Sequence, residues 1–319
     1  MILAFIVVFG IFFALNMGGS NYAACFATSY GSKLIERRKA QLLFILFVVL
    51  GATVMGSHVS LTLGEKIIPA AVVTPKAVIV IFLSGGAGMY LANWMKIPQS
   101  TSLVTVASIC GVGLYHQDIN VATVARFFPY WFLLPLVSFF LTYGATHYVY
   151  PPRKANFWIY EKLVNHQDRL KVFVVICSCY NAFSVGTNNV ANIVGPITAM
   201  AHFNMELSLL VFGIVFGAGA FAFGGTMKTA GSKIIPLGLL TASVISLISG
   251  TLILFASWQG IPQSFVMLQM GALFAVAALK DGKEILITNT IARKTLFTWT
   301  INPLMTLGVS YGLCHLLLR

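Results

Sequence analysis

The residues best suited to chemistry in this sequence are amides and hydroxyls that interrupt long apolar runs. One group lies at Gly18–Asn21, and a second lies at Gly186–Asn189, followed by Asn192. A regular helix in lipid gains nothing from such residues, whereas glycine permits unwinding and freed backbone groups can line a cavity. Close packing of small residues would explain the glycines, but not three asparagines within five positions. The pattern therefore favours a polar binding site, and half-helix N-termini in such a site suit an anion.

A second pair of motifs reads Ile-Pro-Gln-Ser, at Ile97–Ser100 and again at Ile261–Ser264. Proline ends the preceding segment, and serine can cap the helix that follows. An ordinary capped turn at the membrane surface would explain either motif alone. Their pairing instead favours two hairpins whose tips meet near the membrane midplane. The candidate substrate-binding residues are the hydroxyls and amides of both motif pairs, namely Ser20, Asn21, Ser100, Thr101, Ser102, Asn188, Asn189, Gln263 and Ser264.

The elements that position these groups must be membrane-spanning helices. Of the 319 residues, 58% are hydrophobic and only 9% are charged, whereas an ordinary soluble domain has about 25% charged residues. A soluble enzyme and a disordered tail are therefore excluded. The apolar runs are continuous and much longer than the alternating segments of about 10 residues that a membrane barrel requires. The sequence predicts an all-α polytopic membrane protein.

The two motif pairs also indicate an internal duplication. They occur in the same order, with 168 residues between Gly18 and Gly186 and 164 residues between Pro98 and Pro262. Each half contains five apolar segments. We therefore expect a first transmembrane repeat at 1–149, a linker at 150–171 and a second repeat at 172–319.

The distribution of basic residues predicts that the second repeat is inverted. A hairpin of two segments returns the chain to the side of the membrane that it left, whether or not the hairpin spans the membrane. The other helices of each half therefore set the net number of crossings, which is odd. With the N-terminus outside, the outer loops hold Lys66, Lys76, Arg126 and Arg319, and Lys96 lies at a hairpin turn. The fifteen basic residues of the inner loops are Lys33, Arg37, Arg38, Lys39, Arg153, Lys154, Lys162, Arg169, Lys171, Lys228, Lys233, Lys280, Lys283, Arg293 and Lys294. Such a bias is typical of cytoplasmic loops, so it indicates orientation and not nucleic-acid binding.

With these motifs, the chain resembles the inorganic phosphate transporter family. The family's two signatures read approximately Gly-Ala-Asn-Asp-x-Ala-Asn, and this chain keeps their continuations at Thr28–Lys33 and at Gly195-Pro196. The sulfate permease branch is the most similar, through Ser184–Asn192 and Ile97–Ser102. The resemblance covers essentially the whole chain. It implies two inverted-topology repeats with broken helices and paired helical hairpins, which transport an oxyanion by alternating access.

The chain departs from the family where charge matters most. The family's aspartates fall on Asn21 and Asn189, and Ala24 replaces the asparagine that closes the first signature. In phosphate relatives those aspartates help to hold sodium, so their absence weakens the expectation of sodium coupling. The candidate residues for binding a coupling ion are Asn21, Thr28, Asn189, Asn192 and His58. We expect no metal site and no cofactor.

The same substitutions favour sulfate as the substrate. At neutral pH phosphate still carries a proton, for which a carboxylate is the natural acceptor, whereas sulfate only accepts hydrogen bonds. Fewer negative charges in a site of low dielectric constant also repel a dianion less. Import of a dianion against an inside-negative potential requires co-transported cations, and we favour protons over sodium. The expected function is therefore cation-coupled sulfate import across the cell (inner) membrane.

Other functions remain open at this point. A sodium-coupled inorganic phosphate transporter and a passive oxyanion channel would each use a similar site. A membrane-embedded enzyme would need an acid–base or metal cluster at the membrane face, and the sequence offers no such grouping of Asp, Glu and His. A homodimer is compatible with the sequence, and no nucleic-acid partner is expected.

Overall fold

Every regular element among the described residues is helical. The computed structural model describes residues 1–95, 97, 99–151, 153–200, 203–222, 238–282 and 290–318. The helices are α1 (Ile2–Gly31), α2 (Arg37–Leu61), α3 (Pro75–Trp94), α4 (Thr101–His116), α5 (Val121–Val149), α6 (Phe157–Asn165), α7 (Gln167–Asn189), α8 (Ala191–Thr198), α9 (Met205–Ala222), α10 (Leu239–Trp258), α11 (Phe265–Asp281) and α12 (Thr290–Leu317).

Seven helical stretches of the described chain are long and apolar enough to cross a membrane. They are α1, α2, α3, α5, α7 with α8, α9 and α10. The two helices that follow the hairpin turns, α4 and α11, are shorter, with 16 and 17 residues. Large apolar side chains such as Phe128, Phe132 and Phe140 are exposed on the outside of α5, as lipid contact requires. The predicted multi-pass membrane architecture is confirmed.

Helix packing repeats itself between the two halves of the chain. In the first half α1 packs on α3, and α3 packs on α4; in the second half α7 packs on α10, and α10 packs on α11. The remaining contacts cross between the halves, since α1 meets α9 while α7 meets α2, and α4 meets α12 while α11 meets α5. If each helix is replaced by its counterpart in the other half, the same set of contacts results.

Glycines at the crossing points follow the same symmetry at the level of single residues. Gly18 lies so close to the carbonyl of Phe216 that no Cβ would fit, and Gly186 lies equally close to the carbonyl of Val48. A shift of 168 positions converts the first pair into the second. Small residues permit this close approach of helix backbones inside a membrane. The repeat detected in the sequence is therefore also a repeat of contacts.

The first helices of the two halves run antiparallel to each other. Asn21 of α1 contacts Asn189 of α7, and further along α1 Ser29 contacts Ser178, which lies earlier in α7. The contacts therefore proceed in opposite directions along the two helices. This is the relation that an inverted second repeat requires.

The expectation of broken helices is wrong for the first half. Residues 18–31 continue α1 without interruption, because the small residues there serve close packing and Asn21 Nδ2 donates to the carbonyl of Met17 within the same helix, at 2.9 Å. In the second half only Val190 separates α7 from α8, and its backbone angles, φ −64° and ψ −32°, are helical. The candidate binding residues of α1, α7 and α8 thus lie on nearly continuous helices.

Candidate functional site: a buried polar cluster at the hairpin tips

Each hairpin tip ends in a serine that caps the following helix. Ser100 Oγ accepts a hydrogen bond from the backbone N–H of Leu103 at 3.3 Å. Ser264 Oγ accepts one from the N–H of Met267 at 3.4 Å. The capped turns predicted from the two Ile-Pro-Gln-Ser motifs are confirmed. Both helix N-termini, with their partial positive charge, therefore lie at the tips.

The two tips contact each other in the interior of the protein. Ser102 Oγ donates to the backbone carbonyl of Gln263 at 3.0 Å. Trp131 of α5 donates its Nε1–H to the carbonyl of Pro262 at 2.8 Å. Ser102 and Gln263 are fully buried, and Trp131 is almost so. The structure thus brings the two motifs together, as their pairing suggested.

Asn188 fixes the second tip to α7. Its Nδ2 donates to the carbonyl of Ile261 at 3.0 Å, and its Oδ1 accepts from the backbone N–H of Gln263 at 2.9 Å. The same Nδ2 also donates to Ser257 Oγ at 3.0 Å. Asn188 therefore satisfies the backbone groups that the turn leaves free. Its role is to hold the tip, and its side chain is already engaged.

A pair of amides lies at the centre of the repeat. Asn189 Nδ2 donates to Asn21 Oδ1 at 2.9 Å, and both residues are fully buried. These are the two positions that correspond to each other in the two halves, so the contact lies where the repeats meet. Two amides can form this hydrogen bond, whereas two carboxylates at this distance would repel each other.

Several buried polar atoms of the tips and of the neighbouring helices have no hydrogen-bond partner among the described residues. More than nine in ten buried polar groups in native structures are paired with protein or water, so such a group of exceptions marks a place where water or a polar ligand binds. The unpaired atoms include both donors and acceptors, and they belong to both tips and to α7 and α8. They are Gln99 Oε1, Thr101 Oγ1, Asn189 Oδ1, Asn192 Nδ2 and Oδ1, and Gln263 Nε2 and Oε1.

The electrostatics of this cluster come from dipoles and not from charges. The side chains of Gln99, Thr101, Asn189, Asn192 and Gln263 are all neutral, and the buried polar side chains of the described residues include no Asp, Glu, Lys or Arg. Within the described ranges, no group of three or more His, Cys, Asp and Glu could hold a metal ion. The positive field at the tips therefore comes from the N-termini of α4 and α11.

The remaining sequence candidates lie around the cluster or outside the described residues. Ser20 is half-buried on α1, next to Asn21. His58 is exposed on α2, and its Nδ1 lies 3.3 Å from the carbonyl of Trp258, beside the second hairpin turn. The side chain of Thr28 lies outside the described residues, as do Lys96, Pro98, Lys228, Lys233 and Lys283.

Three residues of the site were absent from the candidates chosen by sequence. Gln99 could have been found, because it corresponds to Gln263 in the repeated Ile-Pro-Gln-Ser motif. Trp131 could not, since tryptophans in membrane proteins ordinarily mark the interface. Gln269 Nε2 donates to the carbonyl of Ala24 at 2.6 Å, and its position within an apolar helix gave no signal.

The fold and the site together define a polytopic membrane protein with a neutral polar site inside its helix bundle. The sequence profile of the phosphate transporter family (PHO4) matches residues 17–170 and 152–310. These ranges cover most of the chain, which therefore belongs to this family. Because the family and the relatives consist of transporters and permeases, the chain is a membrane transporter and not an enzyme.

Individual relatives agree with the family assignment. The sulfate permease CysP of Bacillus subtilis (strain 168) is 29% identical over 315 residues, which are 98% of this chain and 87% of the relative. A solved structure, that of a sodium-dependent phosphate transporter, matches with a TM-score of 0.85 and 21% identity, and the match covers 99% of this chain and 98% of the other. This likeness establishes the fold.

Proposed function

We propose that the protein imports sulfate across the cell membrane by alternating access and that protons drive the import. The observation that carries this proposal is the buried Asn21–Asn189 hydrogen bond at the junction of the two halves. Neutral amides there leave the helix N-termini of the two tips as the main source of charge. That environment suits an anion that needs donors and brings no proton of its own.

Sulfate fits the unpaired atoms of the cluster better than phosphate does. Gln263 Nε2, Asn192 Nδ2 and the hydroxyl of Thr101 are donors with no partner in the protein. The acceptors nearby are neutral amide oxygens, which are weaker partners for a phosphate proton than a carboxylate. The similarity to a protein named as a sulfate permease supports the same choice.

The transport mechanism follows from the proposed repeats. We propose that residues 1–149 and 172–319 form inverted repeats, joined by a cytoplasmic linker at 150–171, with the N-terminus outside. The reciprocal glycine contacts and the antiparallel course of α1 and α7 support this arrangement. Rocking of one group of helices against the other would then expose the central cluster to each side in turn.

Coupling to a cation is required by the energetics of import. Moving each negative charge inward against 100 mV costs about 2.3 kcal/mol, so a dianion needs a compensating cation. Protons are proposed because the cluster lacks the carboxylates that would help to hold sodium. The rival function is sodium-coupled phosphate transport, which the family profile and the name of the structural relative favour.

The deciding experiment is uptake into proteoliposomes that contain the purified protein. Radiolabelled sulfate would be compared with phosphate, thiosulfate and molybdate, with sodium and pH gradients imposed separately. We expect sulfate uptake driven by an inward proton gradient. Sodium-dependent phosphate uptake without sulfate uptake would contradict both the substrate and the ion. Substrate-specific counterflow would separate a carrier from a passive channel, since a simple pore does not exchange.

A carboxylate introduced at the centre of the polar cluster tests the proposed binding site. Asn189→Asp should lower sulfate uptake at least tenfold, because a carboxylate there would repel the dianion. The control is Asn302→Asp, the same substitution at an almost buried asparagine of α12 that donates to the carbonyl of Gly88. Both variants must elute as monodisperse protein in size-exclusion chromatography. Uptake by folded Asn189→Asp equal to that of the parent would contradict the proposed site.

A further inference from the structure

The interface between α7 and α10 is lined by small polar side chains along most of its length. We call this interface the polar seam. The rise of an α-helix places its two ends, Ser243 and Ser257, about 20 Å apart. The seam consists of Cys177, Asn181, Ser184 and Asn188 on α7 and of Ser243, Ser246, Ser249 and Ser257 on α10.

The polar seam leads directly to the central cluster. At one end the side chain of Cys177 lies beside that of Ser243. At the other end Asn188 Nδ2 donates to Ser257 Oγ and also holds the second hairpin tip. Contacts therefore proceed in the same direction along both helices, from the start of α7 to the binding site. Under the proposed topology the start of α7 lies on the cytoplasmic side.

The middle of the seam contains buried polar atoms without partners. Asn181 is fully buried, and in the part of the chain that the structure describes neither its Nδ2 nor its Oδ1 has a hydrogen-bond partner. Its Oδ1 lies 2.9 Å from the position that a Cβ on Gly250 would take. The hydroxyl of Ser249, next to that glycine, is also buried and unpaired. Such groups are stable in a membrane only when water or an ion satisfies them.

The middle of the equivalent interface of the first half is filled with aromatic rings, while further along it Asn93 of α3 donates its Nδ2 hydrogens to Asn16 of α1. Phe13 corresponds to Asn181 at the offset of 168, and Phe82 corresponds to Ser246 at the hairpin offset of 164. The two rings are fully buried and pack at a centroid distance of 6.0 Å. A Cβ on Gly85, the counterpart of Ser249, would lie 3.0 Å from the Phe13 ring. In the second half these rings are replaced by small polar side chains, which leaves both room and hydrogen-bonding groups for water.

The orientation of the hydroxyls favours a cation over an anion. Ser184, Ser243 and Ser257 each donate to the carbonyl one turn earlier in their own helix, at 2.8, 3.1 and 2.9 Å. Their protons are therefore occupied. Ser257 Oγ also accepts from Asn188 Nδ2, so the oxygen lone pairs that remain available to the seam are those of Ser184 and Ser243. A lining of acceptors suits water donors and small monovalent cations. Sulfate, which can only accept, would find few donors there.

We propose that the polar seam holds a file of water molecules and conducts the coupling cation between the central cluster and the cytoplasmic side. This inference rests on the proposed transport function, but the hydration of the seam does not. The first half, with its aromatic packing, provides no corresponding path. The cation would thus move between the central cluster and the cytoplasmic side through the second half only.

Silver ion, a small monovalent cation that binds thiols, is the probe for the test. Cys177 lies in the seam and is 1% exposed, and its thiol would bind Ag⁺ and release its proton. In a background with Cys25, Cys110, Cys179 and Cys314 replaced by alanine, Ag⁺ is added to proteoliposomes and quenched at intervals. The protein is then unfolded, and the cysteine that remains free is labelled with a fluorescent maleimide.

We expect Cys177 to react with Ag⁺ at least tenfold faster in the parent than in Asn181→Leu, which replaces the amide with an apolar side chain of the same branching. Ser249→Val provides a second block should Asn181→Leu fail to fold. The matched control is Thr142→Val on α5, where another buried hydroxyl lacks a partner outside the seam; its rate should equal that of the parent. Equal rates in the parent and the seam variants, or an unreactive Cys177, would overturn the proposal.

Transport measurements provide a second test of the proposed cation path. Asn181→Leu should slow cation-driven sulfate uptake at least tenfold, while the affinity for sulfate, measured by calorimetry in detergent, stays within twofold. Imposing pH and sodium gradients separately identifies the cation. If uptake and affinity are both unchanged, the seam does not carry the cation. If the protein moves no sulfate at all, the proposed substrate fails, and the Ag⁺ reaction still reports on the seam.

Discussion

The interfaces α1–α3 and α7–α10 occupy equivalent places in the two halves but differ in chemistry at their middle. Phe13 and Phe82 fill the first with aromatic rings. Asn181 and Ser246 replace them in the second, and both amide atoms of Asn181 are unpaired. Contacts at both interfaces nevertheless occur at equivalent residues, since Gly86 faces Phe12 and Gly250 faces Tyr180. The backbone packing of the duplication was kept, while its side chains diverged.

This contrast shows which features of a duplicated membrane protein are exchangeable. Positions that set the approach of helix backbones, such as Gly18 and Gly186, are glycine in both halves because any Cβ would overlap a carbonyl. Positions that only fill space are free to differ as long as their polar groups find partners. Structural symmetry is therefore compatible with an asymmetric function, in which one half excludes water and the other admits it.

The largest effect is expected when the aromatic interface is made polar. Phe13→Asn should lower the free energy of unfolding by about 3–5 kcal/mol, the usual cost of truncating a buried phenylalanine. Asn181→Leu, the reverse change at the equivalent place, should cause no comparable loss. Thermal or denaturant unfolding in detergent measures both. Equal losses in the two variants would show that the two interfaces are packed alike.

Alanine at the crossing glycines should give a smaller effect that is equal in the two halves. Gly18→Ala and Gly186→Ala should each destabilise the protein by about 1–3 kcal/mol, because each Cβ forces helices apart. Gly144→Ala on α5 is the control, since nothing lies within 4 Å of its Cβ position. That variant should gain up to about 1 kcal/mol from helix propensity. A loss in only one of the two crossing variants would break the symmetry inferred from their contacts.

The smallest effect concerns two serines that hold the short tip helices. Ser138 Oγ donates to the carbonyl of Leu268 at 2.8 Å, and Ser310 Oγ donates to the carbonyl of Ser108 at 2.7 Å. Alanine at either position should cost about 0.5–1.5 kcal/mol. Thr53→Ala serves as the control, because that exposed hydroxyl bonds only within its own helix and should change little. Denaturant midpoints would rank the three variants.

The sequence by itself determined the membrane location, and it predicted the duplication and the two motif pairs of the candidate site. Each follows from one-dimensional information, since apolar run length, repeat offset and helix-capping residues act locally. Membrane-length helices, the capped tips and the contact between the tips are present as expected. In the described part of the chain seven stretches reach membrane length, where the sequence showed ten apolar segments. The neutral character of the centre was also visible, because Asn21 and Asn189 stand where the family has aspartate.

Only the tertiary structure decided which of those polar groups hold helices and turns together and which remain free to bind a ligand. Glycine, for example, permits both unwinding and close packing, and the neighbouring carbonyl of Phe216 selects packing at Gly18. The partners of Asn188 and Trp131 lie 73 and 131 residues away, so no local pattern could assign them. The unpaired amide of Asn181 is the clearest case. Its meaning depends on the burial around it and on the phenylalanine that occupies the same place in the other half.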